Sequence, residues 1–133
     1  MSLPETEGAM RGWLRLNANI SAVVGQRVYF AMPTQDRPEL PFLLLYRVGG
    51  LPDDKQQDYP DFIIECWARI KHDASDLARI VASEIEESNH KPPVLVDGVK
   101  VLAGSVNFGP VPSGGTDWAK RYRVDTSFHM RLA

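Results

Sequence analysis

One stretch of the chain, residues 59–85, reads YPDFIIECWARIKHDASDLARIVASEI and contains two hydrophobic periods in succession. In its first half, apolar residues recur at every second position, which predicts a β-strand over residues 59–68. In its second half, apolar residues recur at helical spacing behind Asp73, a residue type that favours the N-cap position. The helical stripe consists of Ala74, Leu77, Ala78, Val81 and Ile85. A strand followed at once by a helix is typical of mixed α and β folds.

The segment before this stretch predicts two helical pieces and a second strand. Pro4 followed by acidic residues favours a helix start, and this helix is expected to end near Asn17. Asn19 is the expected cap of a second, short helix that Gly25 ends. Residues 42–48 are apolar on both alternating faces, which predicts a central strand that pairs antiparallel with residues 59–68.

The C-terminal third predicts more strands. Asp97-Gly98 between two apolar triplets is a strong signal for a β-hairpin with a tight turn. Residues 104–115, rich in Gly and Pro, are expected to be a strand end that runs into a loop. The last stretch, residues 121–132, alternates strictly and predicts a strand with one wet face. Residues 49–58 are expected to form an exposed, mobile loop.

These elements predict one α+β domain over residues 1–133. We expect an antiparallel β-sheet of about four to six strands, with an N-terminal helix and one long central helix packed on one face. Residues 1–4 are expected to be disordered or to include a remnant of an expression tag. The expected core residues are Trp13, Phe42, Leu44, Ile64, Leu77, Val81, Tyr122, Val124 and Phe128.

Composition excludes several classes of function. Fifteen Lys and Arg against 17 Asp and Glu give a formal net charge of -2 and a pI of about 5.9, which argues against a dedicated nucleic-acid binder. The longest apolar run is far shorter than the ~20 residues of a membrane-spanning helix. A single cysteine, Cys66, forms no internal disulfide, and we expect a reducing, cytoplasmic setting.

Few residues suggest chemistry. The three histidines lie far apart and lack the paired spacing of a metal site, so we expect no catalytic residue, metal or cofactor. The glycines of residues 104–115 lack the Lys and Ser/Thr of a phosphate-binding loop. Asp53 and Asp54 are adjacent carboxylates in a Gly/Pro loop, where the ordinary role of such a pair is a solvated turn.

Charge is concentrated on two segments, which suggests an interaction surface. Lys120, Arg121, Arg123 and Arg131 place basic groups on the outward face of the last strand, and Glu84, Glu86 and Glu87 end the long helix. One interpretation is an ordinary solubilising surface. The other is head-to-tail self-association, because complementary patches on one chain close into a ring when the rotation allows. The candidate interface residues are Arg121, Arg123, Arg131, Glu84, Glu86, Glu87, Arg47, Asp53 and Asp54.

Several segments in this order resemble one protein family. They are VGQRVYF at 24–30, LPFLLLY at 40–46, FIIECWA at 62–68 and the helix with Leu77, Ala78 and Val81. The chain resembles the tail-completion, or tail-terminator, proteins of long-tailed bacteriophages and prophages, also called minor tail or head-to-tail joining proteins. The resemblance spans residues ~5–88 and, more loosely, the last strand. Residues 49–58 and 103–118 show no family pattern.

The resemblance implies a structural, non-enzymatic role. A ring of copies, as in hexameric members, would cap the finished tail tube and present a surface to the head connector, in the virion tail and in the host cytoplasm during assembly. Six domains with a gyration radius of ~14 Å would leave an opening of roughly 30 Å, through which DNA passes without specific binding. Two alternatives remain open: a head-completion adaptor of the phage neck, and a small ligand-binding module or enzyme.

Overall fold

Most strands of the chain join in one large mixed sheet. The computed structural model describes residues 5–34, 37–50 and 56–133, and within them seven strands pair in the order β1-β2-β4-β7-β6-β5, with β3 beside β7. The strands are β1 (Val28–Tyr29), β2 (Phe42–Gly49), β3 (Gln57–Asp58), β4 (Asp61–Ala68), β5 (Val94–Val96), β6 (Val99–Gly115) and β7 (Lys120–Leu132). β1 pairs parallel with β2, and the remaining pairs are antiparallel. The fold is α+β, but the expected all-antiparallel sheet of four to six strands is wrong in size and in kind.

Three helices accompany the sheet: α1 (Thr6–Leu16), α2 (Ala18–Val24) and α3 (Lys71–Glu87), the last followed by a 3₁₀ turn (Ser88–His90). The predicted break in the N-terminal helix is confirmed, but Asn17 rather than Asn19 caps α2. Its side-chain oxygen accepts the N–H groups of Asn19 and Ile20, each at 3.0 Å. α3 begins before the expected cap, so Asp73 lies in the first turn, where a carboxylate is favourable to the helix dipole.

The main core lies between the helices and one face of the sheet. We call this face the helix side and the opposite face the outer side. On β4, the predicted alternation is confirmed: Phe62, Ile64 and Cys66 enter the core with no exposed surface. Of the nine predicted core residues, eight are buried. Leu44 is half-buried on the outer side, because Leu43 and Leu45 are the residues of β2 that enter the core.

β6 is the largest departure from the sequence-based expectation. The predicted hairpin at Asp97-Gly98 is confirmed, with positive φ at both residues. Residues 104–115, however, are not a loop but continue β6 to Gly115 along β7. Four register shifts accommodate the glycines and prolines, and beyond β5 this strand lies at the sheet edge, where proline is tolerated.

Part of the predicted loop over residues 49–58 is also a strand, since Gln57–Asp58 forms β3. Asp53 and Asp54 lie outside the described residues, as do residues 1–4.

Packing against Phe128 predicts an unequal response to two glycine substitutions. A Cβ at Gly104 would lie 2.5 Å from the buried Phe128 ring, which packs edge-on against Trp13 and Phe62. We expect Gly104→Ala to lower the free energy of unfolding by about 1–3 kcal/mol. Gly8→Ala, in the first turn of α1 beside only the Glu5 side chain, should raise it by up to about 1 kcal/mol. Urea denaturation measures both, and equal effects would contradict the packing argument.

Glu84 links α3 to the α1–α2 junction and predicts a pH dependence. Asn17 donates a hydrogen bond of 2.9 Å to its carboxylate, and this bond is the main reason that the pKa of Glu84 is lowered. A lowered folded-state pKa gives stability that is complete above about pH 4.3, the usual glutamate value, and is lost as the pH falls below it. Glu84→Gln should therefore be less stable than the wild type at pH 7, by up to about 1 kcal/mol, and the difference should narrow at pH 3. A difference that is constant between pH 7 and pH 3 would contradict this role.

Candidate interaction surface

A buried carboxylate, Glu65 on β4, organises the outer side of the sheet. Its side chain accepts hydrogen bonds from the Tyr46 hydroxyl at 3.0 Å and from the Trp67 indole N–H at 3.1 Å. The Arg121 guanidinium lies 3.6 Å from the same carboxylate. Burial, followed by the bond to Glu65, raises the pKa of Tyr46. Glu65 is only 8% exposed, and these partners offset the cost of removing its charge from water.

Aromatic side chains cover the outer side next to Glu65. Trp67 lies between Phe42 and Trp118, stacked with ring centroids 5.7 Å and 6.0 Å away, and Tyr29 packs on Phe42. The Arg121 guanidinium also lies over the Trp67 ring. This second apolar cluster buries Phe42 and Trp67 on the side of the sheet that the helices do not cover.

Two of the four residues of the predicted basic stripe on β7, Arg121 and Arg123, are neutralised within the chain. Arg121 binds Glu65 and the carbonyl oxygen and hydroxyl of Ser113, and Arg123 forms a bidentate pair with Asp125 at 2.6 Å and 2.9 Å. Arg131 is exposed and has no side-chain partner among the described residues. Of the three candidate interface residues on β7, Arg131 is thus the one whose charge is available to a partner molecule.

The predicted acidic end of α3 is partly neutralised in the same way. Glu84 binds Asn17, with Lys91 4.0 Å away, and Glu86 accepts the backbone N–H of Val106 at 2.7 Å. Glu87 is exposed and, within the described part of the chain, its side chain has no partner. Glu86 thus satisfies one backbone N–H group on the edge of β6.

Arg47 is committed to a buried ion pair that the sequence did not reveal. Its guanidinium donates to both carboxylate oxygens of Asp58, at 2.6 Å and 2.9 Å, and Asp58 is 1% exposed. It also donates to Thr6 Oγ1 and to the carbonyl oxygens of Gly49 and Gly50. The partners are eleven positions apart in the sequence, across a stretch that shows no periodicity, so no sequence pattern points to the pair.

The groups with potential chemistry are dispersed. Cys66 is fully buried in the core, and burial raises the pKa of its thiol. His129 lies 2.7 Å from Gln57 and stacks on Tyr59, whereas His72 lies beside Asp76 on the surface of α3. In the described ranges, no group of three His, Cys, Asp or Glu residues could hold a metal ion, and no helix is long and apolar enough to span a membrane.

An open groove of about 670 Å³ lies at the end of the sheet where β6 turns into β7. Leu40, Leu77, Ile80 and Trp118 provide its apolar surface. Asp73 and Asp76 line it from α3, and Arg37 and Arg69 line it from the segments before β2 and after β4. A groove of this size lies within the range of about 300–1,000 Å³ that binding clefts span.

The fold and the surface together define an α+β protein built on one large mixed sheet with internally paired charges. No protein-family model and no curated protein matches the chain. A chain in a solved structure described as "Virion of native gene transfer agent (GTA) particle" has a similar fold, with a TM-score of 0.63 and 21% sequence identity. The alignment covers 95% of this chain and 92% of that chain. At this identity the similarity establishes a shared fold.

The buried Arg47–Asp58 pair predicts a strong asymmetry among substitutions. Arg47→Met should lower the free energy of unfolding by about 3–5 kcal/mol, because it leaves the Asp58 carboxylate buried without a cation. The double variant Arg47→Met with Asp58→Leu should recover most of this loss. Arg79→Met, which breaks the exposed pair with Asp76, should cost less than about 1 kcal/mol.

Chemical denaturation of the four proteins measures these differences. A double variant that is no more stable than Arg47→Met alone would contradict the argument that the unbalanced Asp58 charge causes the loss of stability.

Proposed function

We propose that this chain is a structural protein of a phage-like virion, and that it acts as the tail terminator. In this role a ring of copies, six in number, caps the tail tube and joins it to the head connector. The observation that carries the proposal is the fold shared with a chain of the gene transfer agent virion over nearly the full length of both chains. The residue pattern over 24–46 and 62–81, which resembles tail-completion proteins, supports the tail as the place within such a particle.

The role requires no catalysis, and the proposal assigns no catalytic residue, metal or cofactor. Its partners are further copies of the chain, the tail tube protein and the connector protein. Residues 49–58 and 103–118, with Asp53 and Asp54 in the first, are proposed as contacts to the tube or connector. The proposed location is the virion tail, and the cytoplasm of the bacterial host during assembly.

The pairing of Arg121 and Arg123 on the outer side favours a conduit for DNA over a DNA-binding surface. Arg121 and Arg123 are paired with Glu65 and Asp125, so neither is free to release counterions from phosphates. A net charge of -2 adds no general attraction for a polyanion. DNA that moves through such a ring would meet few favourable contacts that could slow it.

Self-association is proposed to be head-to-tail. A basic surface that includes Arg131 on one copy meets an acidic surface on α3 of the next, since these elements carry charges that are not neutralised within the chain. Arg121, Arg123, Glu84, Glu86 and Arg47 have partners within their own chain. Reversal of their charge would therefore change stability as well as assembly, which makes the exposed Arg131 the cleaner probe of the basic side of the contact.

Reconstitution with purified phage-like tails tests the proposal. We expect the purified chain to form a ring at one end of uncapped tails in electron micrographs, and to make those tails competent to join DNA-filled heads. The control is the destabilised Arg47→Met variant at the same concentration. Binding along the whole tube, or to neither end, would contradict the terminator role.

A binding assay separates the terminator from a head-completion adaptor. A terminator should retain tube protein on a column that carries the chain, whereas an adaptor should retain only proteins from the head side of the neck. Retention of head-side proteins without tube protein would favour the adaptor.

A further inference from the structure

Two cations, Lys100 and Arg131, lie side by side on the outer side of the sheet. Lys100 on β6 is directly opposite Arg131 on β7, so both side chains project from the same face. In the described part of the chain, neither side chain has a hydrogen-bond or ion-pair partner. Like charges in directly opposite positions destabilise a sheet, so the arrangement costs stability in the isolated chain.

An exposed apolar side chain continues the same row. Leu95 on β5 is directly opposite Lys100 and is 58% exposed. The exposed Asp97 lies in the adjoining turn between β5 and β6. We call Leu95, Asp97, Lys100 and Arg131 the corner. It consists of one exposed apolar side chain, two cations beside it and one anion in the turn.

The groove has the complementary features. Its apolar lining includes Leu77, Ile80 and Trp118. Its α3 side carries Asp73, which has no side-chain partner among the described residues, and Asp76, whose carboxylate is about half exposed and already pairs with Arg79 and His72 on the same helix. Arg69 lies on another wall and provides a cation for an incoming acid. Apolar surface and both signs of charge thus match those of the corner.

The corner and the groove belong to opposite ends of the sheet. Trp118 in the groove lies just before β7, and Arg131 in the corner is the second-to-last residue of this strand; the eleven positions from Lys120 to Arg131 span about 36 Å at ~3.3 Å per residue. One chain therefore cannot place its corner in its own groove. A contact between two different surfaces of identical chains is heterologous, and it gives a ring when the rotation closes.

We propose that the groove of one copy receives the corner of the next, with Leu95 on the apolar lining and Lys100 and Arg131 against Asp73 and Asp76. The inference rests on the proposed ring and specifies its contact. It places the acidic side of the contact in the first turns of α3, not at Glu87. In the isolated chain, Lys100 and Arg131 repel each other. The acids of the neighbouring copy reduce this repulsion, and this favours assembly.

Charge reversal separates this contact from other arrangements. Lys100→Glu places an opposite charge beside Arg131, so we expect the melting temperature of the monomer to rise while the Kd of self-association increases by about tenfold or more. Asp73→Lys should weaken self-association to a similar extent. Lys100→Glu mixed with Asp73→Lys should associate more tightly than either variant alone, because the reversed surfaces match.

Sedimentation or light scattering over a concentration series measures association, and circular dichroism measures folding. Glu87→Lys is the matched control, an exposed acid on the same helix outside the groove, and it should associate like the wild type. Loss of association by Glu87→Lys but not by Asp73→Lys would overturn the inference. So would a wild type that is monomeric at every concentration, or variants that associate normally. In each case the tail-capping assay still decides the proposed function.

Discussion

The burial of β4 on both faces is the constraint on which the rest of the structure depends. Seven of its eight residues are buried, because one face meets the helices and the other meets the outer aromatic cluster. A strand with two apolar faces requires a neighbour on each edge and a cover on each side. β2 and β7 provide the edges, the helices provide one cover, and Trp118 from the turn before β7 helps to provide the other. The same burial places Glu65 where its charge requires Tyr46, Trp67 and Arg121.

Pairing of charges within the chain determines which surface groups remain for partners. Arg47, Arg121 and Arg123 are basic residues on the interior strands β2 and β7, and each has a carboxylate within the chain. Arg131 and Asp73 have no such partner among the described residues, and they lie near the ends of β7 and α3. Interaction surfaces in this fold are therefore expected at the ends of the sheet, where assembly supplies the counter-charges that the monomer lacks. Charge density along the sequence is a weak guide to these surfaces, because it counts paired and unpaired groups alike.

Much of the fold was predictable from periodicity. Alternation in residues 59–68 and 121–132 identified both strands and their buried faces, and the stripe through Leu77 and Val81 identified α3. The length of β6 was not predictable, because its Gly and Pro residues carry no strand signal of their own. They are held extended by β7, which pairs along the full length of the segment. The shift of the cap from Asn19 to Asn17 had a local cause, since both residues suit the position and only backbone geometry distinguishes them.

The sequence by itself determined the α+β class, the helices, the faces of the long strands and the small net charge, since these follow from local spacing and composition. Only the tertiary structure decided that Asp58 neutralises Arg47, that β6 continues to Gly115 and that Lys100 lies beside Arg131. Each of these depends on which segments meet in space. The pairing of strands that are distant in the sequence depends on how much apolar surface the whole sheet buries, which local spacing does not reveal. For the same reason, the interaction surface predicted from the basic and acidic stretches needed the structure to show which of its charges are free.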